Sequence, residues 1–237
     1  MKIALIGYGK MGKAIEPVAQ ARGHEIVLRA SNNEEVDLAI ISNADVAIEF
    51  TNPESAPNNI LRCFQSDTPV IVGTTGWYDH FDQIKQHLKE HNGALLTATN
   101  FSLGVNIFSE INARLAELME HQEQYDVTIS ETHHTEKLDA PSGTAISIGE
   151  RIIDLITRKK KWSDKASDEP ENLDILSFRE QNVPGTHVVE YQSEIDSIKI
   201  EHTAHNRQGF ALGAVIAAEF IHSKTGIYTM KNVLKLS

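Results

Sequence analysis

An apolar run at the start of the chain ends in Gly7-Tyr8-Gly9-Lys10-Met11-Gly12, a G-x-G-x-x-G string set between a strand-like Ile3–Ile6 and a helix-like Lys10–Arg22. This arrangement narrows the possible folds sharply. Gly7 permits the tight turn, Gly9 lets the backbone approach a pyrophosphate, and Gly12 allows close helix–strand packing. Phosphates would then sit at a helix N-terminus, where unpaired amides and the helix dipole favour negative charge. Alone the string is a weak signal, and it also fits a glycine-rich turn in an α/β sheet that binds nothing. In its strand–turn–helix context it makes Gly7, Tyr8, Gly9, Lys10, Met11 and Gly12 candidate dinucleotide contacts.

The next ninety or so residues repeat the alternation. Ile26–Leu28, Val46–Phe50, Val70–Val72 and Ala94–Leu96 read as buried strands, and Ser55–Gln65 and Tyr78–His91 as helices with polar faces. Short, continuously apolar strands separated by helices imply a parallel sheet covered on both faces. Ligands of such doubly wound sheets bind beyond the carboxyl ends of the strands. Two further strand ends are therefore candidate cofactor contacts: Gly73, Thr74 and Thr75, and Ala98, Thr99, Asn100 and Phe101. Both also fit ordinary tight turns between strand and helix.

After Asn100 the pattern changes. A helix is expected over Val105–Met119, a strand over Tyr125–Glu131, and a helix from about Ser142 to Ile156. Lys159–Asn172 reads as an exposed loop in which Trp162 is the large apolar residue. Strands at Ile175–Arg179, Thr186–Gln192 and Ser197–His202 then follow one another, the mark of an α+β domain. Gly213–Phe220 looks like a helix that returns to the first domain. The expected fold is thus α/β: a doubly wound (Rossmann-like) parallel sheet with a second α+β domain for substrate binding and oligomerisation. The expected division is 1–102 with 207–237, and 103–206.

The run Glu131-Thr132-His133-His134-Thr135-Glu136-Lys137-Leu138-Asp139-Ala140-Pro141-Ser142-Gly143-Thr144-Ala145 carries the chemistry. His133, His134 and Lys137 can donate protons or act as cationic partners. Asp139 to Thr144 reads as a capped helix start with small residues that leave amides accessible. Amides at a helix N-terminus beside a lysine suit a carboxylate or a phosphate. Formal net charge is −11, which argues against a general nucleic-acid binder. Such an acidic chain binds anions only through a local pocket of this kind.

No metal centre is expected, although there are eleven histidines and a His202-x-x-His205 pair. His133 and His134 would point to opposite faces of an extended strand. His202 and His205 read as satisfied polar positions near a strand end. The single cysteine, Cys63, excludes an internal disulfide framework and fits a reducing compartment. It lies in a helix-like run, away from the strand-end turns, which disfavours a semialdehyde dehydrogenase acting through a thiol nucleophile. The start of the chain leaves no room for a signal peptide, and Phe210–Phe220 is too short to span a membrane and contains Glu219. A cytoplasmic protein with no membrane association is expected.

The run from Glu131 to Ala145 resembles the signature of the dihydrodipicolinate reductase family. The likeness extends to Gly7–Gly12, Gly73-Thr74-Thr75, Ala98–Ser102, Pro184-Gly185-Thr186-His187, and Arg207-x-x-Phe210-Ala211-x-Gly213-Ala214. It implies reduction of a small cyclic dicarboxylate by NADPH or NADH, in the diaminopimelate route to lysine. On that basis His133 is the proton donor, with Lys137 its partner or a second acid. His134, Ser142, Gly143 and Thr144 contact the substrate. A homotetramer assembled through the sheets of the second domain is implied as well. The alternative is an oxidoreductase of the same fold acting on another small anion.

The residues after the second strand depart from the usual pattern, reading Arg29-Ala30-Ser31-Asn32-Asn33 where an acid often binds the ribose. Ser31 and Asn32 are the candidate ribose contacts, with Glu34 or Glu35 as the displaced acid. Both cofactors are expected to work, with NADPH slightly favoured, helped by Arg29 if it lies on the cleft side.

Overall fold

In a computed structural model, described over residues 1–31 and 37–236, the expected parallel strands pair edge to edge. β1 (Lys2–Ile6), β2 (Glu25–Ala30), β3 (Val46–Glu49), β4 (Val70–Val72) and β5 (Ala94–Thr97) join with a late strand, β11 (Gly226–Tyr228). The sheet order is β11-β5-β4-β3-β1-β2, and every pairing is parallel. Such a sheet needs apolar side chains on both faces, and β1, β3 and β4 supply them with nearly every residue buried.

One face packs on α1 (Lys10–Ala21) and α7 (Gln208–Ile221) through Ile3, Leu5, Ile15, Ala19, Ala214 and Val215. The other packs on α2 (Leu38–Ile41), α3 (Ala56–Gln65) and α4 (Phe81–Glu90) through Ile41, Ile60, Phe64, Ile84 and Leu88. Helix α7 is rich in Ala and Gly and lies very close to its neighbours. A β-carbon added at Gly213 would stand 1.7 Å from the carbonyl oxygen of Phe101, so no larger residue fits.

The chain divides into two compact units, Met1–Asn106 with Gln208–Ser237, and Ile107–Arg207. The boundary falls within α5 (Leu103–Met119) and just before α7. The second unit is built on a mixed sheet of β6 (Asp126–His133), β7 (Lys161–Ser163), β8 (Asn172–Arg179), β9 (Gly185–Gln192) and β10 (Ser197–Ala204), in the order β10-β9-β6-β8-β7. Helix α6 (Gly143–Leu155) lies on one face, where Ala145, Ile148, Ile152 and Ile156 meet Val127, Ile129, Leu173, Ile175, Val189 and Tyr191. Gly149 permits the approach, since a β-carbon there would come within 2.9 Å of Ile175 Cδ1.

Three features depart from the sequence reading. The stretch 159–172 is not simply an exposed loop. Lys159 is buried, its ammonium bonded to the carbonyls of Pro170 (2.9 Å) and Asn172 (2.6 Å) and paired with Asp126, and Lys161–Ser163 adds a short edge strand to β8. Three backbone and carboxylate oxygens converging on one ammonium offset the cost of burying it. The helix expected at Gly213–Phe220 starts earlier, at Gln208. After it, β11 and the short α8 (Met230–Leu234) had no expectation at all.

Candidate active site

At the carboxyl edge of the parallel sheet, Gly7 has φ +98°, and a β-carbon there would stand 2.0 Å from the Phe50 carbonyl oxygen. Only glycine avoids both the strained backbone and the clash. At Gly12 a β-carbon would lie 2.5 Å from Gly7 O, while at Gly9 it would meet nothing within 4 Å. Gly9 N-caps the twelve-residue α1 without a side-chain bond, and the first turn holds no acidic residue. Open space before uncapped amides is what a pyrophosphate requires, so these residues fit a dinucleotide.

The other cofactor candidates divide by what their side chains already do. Thr74 is buried, its hydroxyl accepting from Thr51 N (2.8 Å) and its carbonyl from Trp77 Nε1 (2.8 Å), so it braces two turns. Phe50 covers Gly73, where a β-carbon would stand 2.0 Å from the ring. Phe101 is buried against Phe50, ring centroids 5.7 Å apart, which leaves its backbone as the part that can face a ligand. Thr75 and Thr99 are exposed, Ala98 and Asn100 half-buried. The Asn100 side chain accepts from Ser102 N at 2.9 Å. Ser31 follows β2 directly, and Asn32, with Glu34 and Glu35, lies outside the described residues.

Arg29 has a partner that sequence reading missed. Its guanidinium pairs with Glu16 of α1, Nε lying 3.1 Å from each carboxylate oxygen, and the Tyr8 hydroxyl donates to the same carboxylate. The Arg29 and Tyr8 hydrogen bonds hold Glu16 well below the usual carboxylate range, at about 2. The pair stands beside the turn, since Gly7 N and Tyr8 N both donate to Ala30 O.

In the second unit the alternation along β6 places Val127, Ile129, Glu131 and His133 on the buried face. Strand register then sets Glu131 beside Ser177 of β8 and His187 of β9, and His133 beside Arg179. The Glu131 side chain is fully buried. Its Oε1 accepts from Ser142 N (3.0 Å) and Ser177 Oγ (2.8 Å). Its Oε2 lies 3.3 Å from His133 Nδ1 and 3.7 Å from His187 Nε2 without a hydrogen bond to either. Burial would raise this carboxyl; the Ser142 and Ser177 hydrogen bonds and the nearby imidazole outweigh it and hold it below the ordinary value.

His133 itself is pushed down by burial, against the pull of Glu131, with Lys137 and Arg179 pushing the same way as burial. His187 is driven down to about 4 by burial first and then by His133, so at neutral pH it is uncharged. The unfolded chain protonates this ring near 6.5 and the folded one only near 4. Stability is therefore full above the first value and falls by about 3 kcal/mol as pH drops through the second. Denaturant midpoints taken between neutral pH and pH 4 check this, with His187→Gln giving the flatter curve.

The residues expected to contact an anion are close by in the chain. Ser142 N-caps α6, its hydroxyl accepting from Ala145 N (3.2 Å) and contacting His187 Nε2 (3.2 Å). Its hydroxyl is thus engaged within the protein, whereas a β-carbon at Gly143 would meet open space, and Thr144 is half-buried. Lys137 pairs with Asp139, its Nζ 2.8 Å from both oxygens. Arg179 grips the same loop from β8 through the carbonyls of Lys137 (3.3 Å) and Asp139 (2.6 Å). His134 is half-buried with its Nδ1 unbonded.

Among the described residues, one side-chain atom each of Glu131, His133 and His187 lies within 4.8 Å of the others, but Glu131 Oε1 and His187 Nε2 are already engaged with Ser142 and Ser177. The pair weighed in the sequence was His202 and His205. His202 does not fit the expected satisfied position: it packs on Phe108, ring centroids 6.1 Å apart, and its Nδ1 has no hydrogen bond. Cys63 is fully buried in α3, and burial pushes its thiol well up, so it is no nucleophile. Among the described residues no helix is long and apolar enough to cross a membrane.

Comparison with known proteins matches residues 1–101 to the dihydrodipicolinate reductase N-terminus and residues 104–234 to the dihydrodipicolinate reductase C-terminus. A 4-hydroxy-tetrahydrodipicolinate reductase of Christiangramia forsetii is 48% identical over 234 residues, 99% of this chain and 98% of that one. The enzyme of the same name from Neisseria meningitidis serogroup B is 33% identical over 212 residues, 86% of this chain and 77% of its own. Among solved structures, a dipicolinate-bound dihydrodipicolinate reductase from Paenisporosarcina sp. TG-14 superposes with TM-score 0.81 at 20% identity, covering 98% of both chains.

Proposed function

The chain belongs to the dihydrodipicolinate reductase family, and from that premise we propose that it converts 4-hydroxy-tetrahydrodipicolinate to tetrahydrodipicolinate, the 4-hydroxyl leaving as water and the dehydrated ring taking up a hydride and a proton. One observation carries the reading beyond the name: a buried imidazole, His133, lies within electrostatic reach of the cation Lys137, and the amide-rich N-terminus of α6 follows in the same run. A reduced nicotinamide, when bound, supplies the hydride. Reduction of a conjugated ring also needs a proton at carbon and a counter-charge at nitrogen or carboxylate. His133 delivers the proton. Lys137 releases Asp139 to hold a substrate carboxylate, and Gly143 and Thr144 present amides to it, with His134 alongside. Ser142 acts by fixing the helix start. The test is oxidation of reduced cofactor by purified protein on enzymatically generated substrate; no turnover above background would overturn the assignment.

NADPH and NADH are both proposed as cofactors, with the preference for NADPH kept small because Glu16 already neutralises Arg29. Glu16→Gln should release that guanidinium and tighten NADPH about threefold to tenfold, the worth of one exposed charged contact, while NADH changes little. Cofactor fluorescence titration reads this directly, and equal effects on both cofactors would remove Arg29 from the ribose site.

A homotetramer is proposed as well. Helix α6 covers one face of the second sheet, and on the other face register sets Thr132 beside Thr186 and Phe178, the last about half exposed. Light scattering in solution checks the assembly. The buried free thiol of Cys63 suits the cytoplasm.

A further inference from the structure

We propose that Glu131 is a positioning residue for proton donation: its carboxylate orients the His133 ring and supplies the negative charge against which that ring takes up its proton. The proposal rests on the reading of His133 as the acid. A fully buried carboxylate is costly unless its lone pairs are used. Here the two oxygens differ. Oε1 is occupied by Ser142 N, Ser177 Oγ and, at 3.6 Å, Arg179 Nη1. Oε2 has no hydrogen bond and faces His133 Nδ1, which also has none, across 3.3 Å. Two unsatisfied buried atoms, one an acceptor and the other able to become a donor, are matched by a single proton on the imidazole.

His187 does not compete for that role. Its Nε2 is engaged with the Ser142 hydroxyl, and its ring stays neutral until about pH 4. Apart from Glu131 and, more weakly, Asp139, the surroundings of His133 disfavour its charge. Lys137 lies on the loop after β6, paired with Asp139; Arg179 faces it from β8; His187 faces it from β9, with His202 of β10 beyond. Glu131 is the strongest influence on His133 in the other direction. With Nδ1–H held on Glu131, Nε2 becomes the nitrogen that hands its proton to substrate. Gly185 keeps that nitrogen clear, since a β-carbon there would stand 2.9 Å from it.

The test is an NMR titration of the His133 ring in the whole protein, alongside the pH profile of kcat/KM, for wild type, Glu131→Gln and Glu131→Asp. Glu131→Gln keeps an acceptor for Ser142 and Ser177 but removes the charge. The His133 midpoint should fall by about one unit or more, and kcat at neutral pH should drop roughly tenfold to a hundredfold, with partial recovery at lower pH. Glu131→Asp should restore the charge and part of the midpoint, and it carries the test alone if the Gln variant does not fold. An unmoved His133 midpoint in a folded variant overturns the proposal. So does a wild-type midpoint that shifts when the protein is treated with a chelator, which would make the trio a metal site. If His133→Gln keeps its turnover, the reading of the acid fails; if that variant is inactive while the Glu131→Gln midpoint stays put, only the role of Glu131 fails.

Discussion

Replacing His133 by Gln is expected to lower kcat about a hundredfold, the usual worth of a positioned general acid, while cofactor affinity stays within about twofold. The glutamine amide fills much of the imidazole's space but cannot deliver a proton at neutral pH. Cofactor binding should be spared because the glycine turn belongs to the other compact unit of the chain. Steady-state kinetics with a fluorescence titration of the reduced cofactor separate the two effects. Full turnover in the variant would send the search for the donor to Lys137 or His134. In the wild type, activity that depends on protonated His133 should decline as pH rises, with a midpoint for the free enzyme below 6.5, because burial disfavours the charged ring.

Lys137→Ala is the second large loss expected, about 10² to 10³ in kcat/KM, since a charged hydrogen bond to a carboxylate is worth about 1.5–3 kcal/mol and its removal also deprives the transition state of a cation. The bidentate Asp139 pair at 2.8 Å does not argue against this role. Asp139 is largely exposed, and an exposed ion pair is weak enough to exchange for a substrate carboxylate. Binding of pyridine-2,6-dicarboxylate should weaken at least about tenfold in the same variant. Asp139→Asn, which removes the competitor, should act in the opposite direction. An inhibition constant that ignores both substitutions would place the anion pocket elsewhere.

The first unit was legible because β1, β3, β4 and β5 are buried on both faces and therefore written as plain apolar runs, from Ile3–Ile6 to Ala94–Leu96. β11 escaped notice for the converse reason. It is three residues long at a sheet edge, and Ile227 is over a third exposed, so it leaves no apolar run to read. β7 was hidden among charges: it is three residues long and mostly exposed, and Lys159 just before it is buried by oxygens of Pro170, Asn172 and Asp126 rather than by apolar neighbours.

The candidate site was legible only in part. His133, Lys137 and the helix start are contiguous in sequence, so a motif reveals them. Ser177, Arg179 and His187 reach the same place through strand register, which no spacing encodes. Glu131 was within reach of the sequence: it lies two residues from both Ile129 and His133, on the face of β6 that alternation assigns to the core. The Arg29–Glu16 pair joins a strand end to a helix across thirteen residues, a contact made by packing that no motif or periodicity encodes.

Ser142 shows what it means for one residue to serve two neighbours. Its hydroxyl terminates α6 and touches His187, while its amide is bonded to Glu131. The surface that would grip a substrate carboxylate and the group that would protonate the ring are therefore joined through a single residue. A redesign aimed at a differently shaped acid would do best to alter Gly143 and Thr144, whose side chains take no part in that joint. Changing Ser142 instead would retune the proton donor along with the grip, so selectivity and rate could not be adjusted independently from that position.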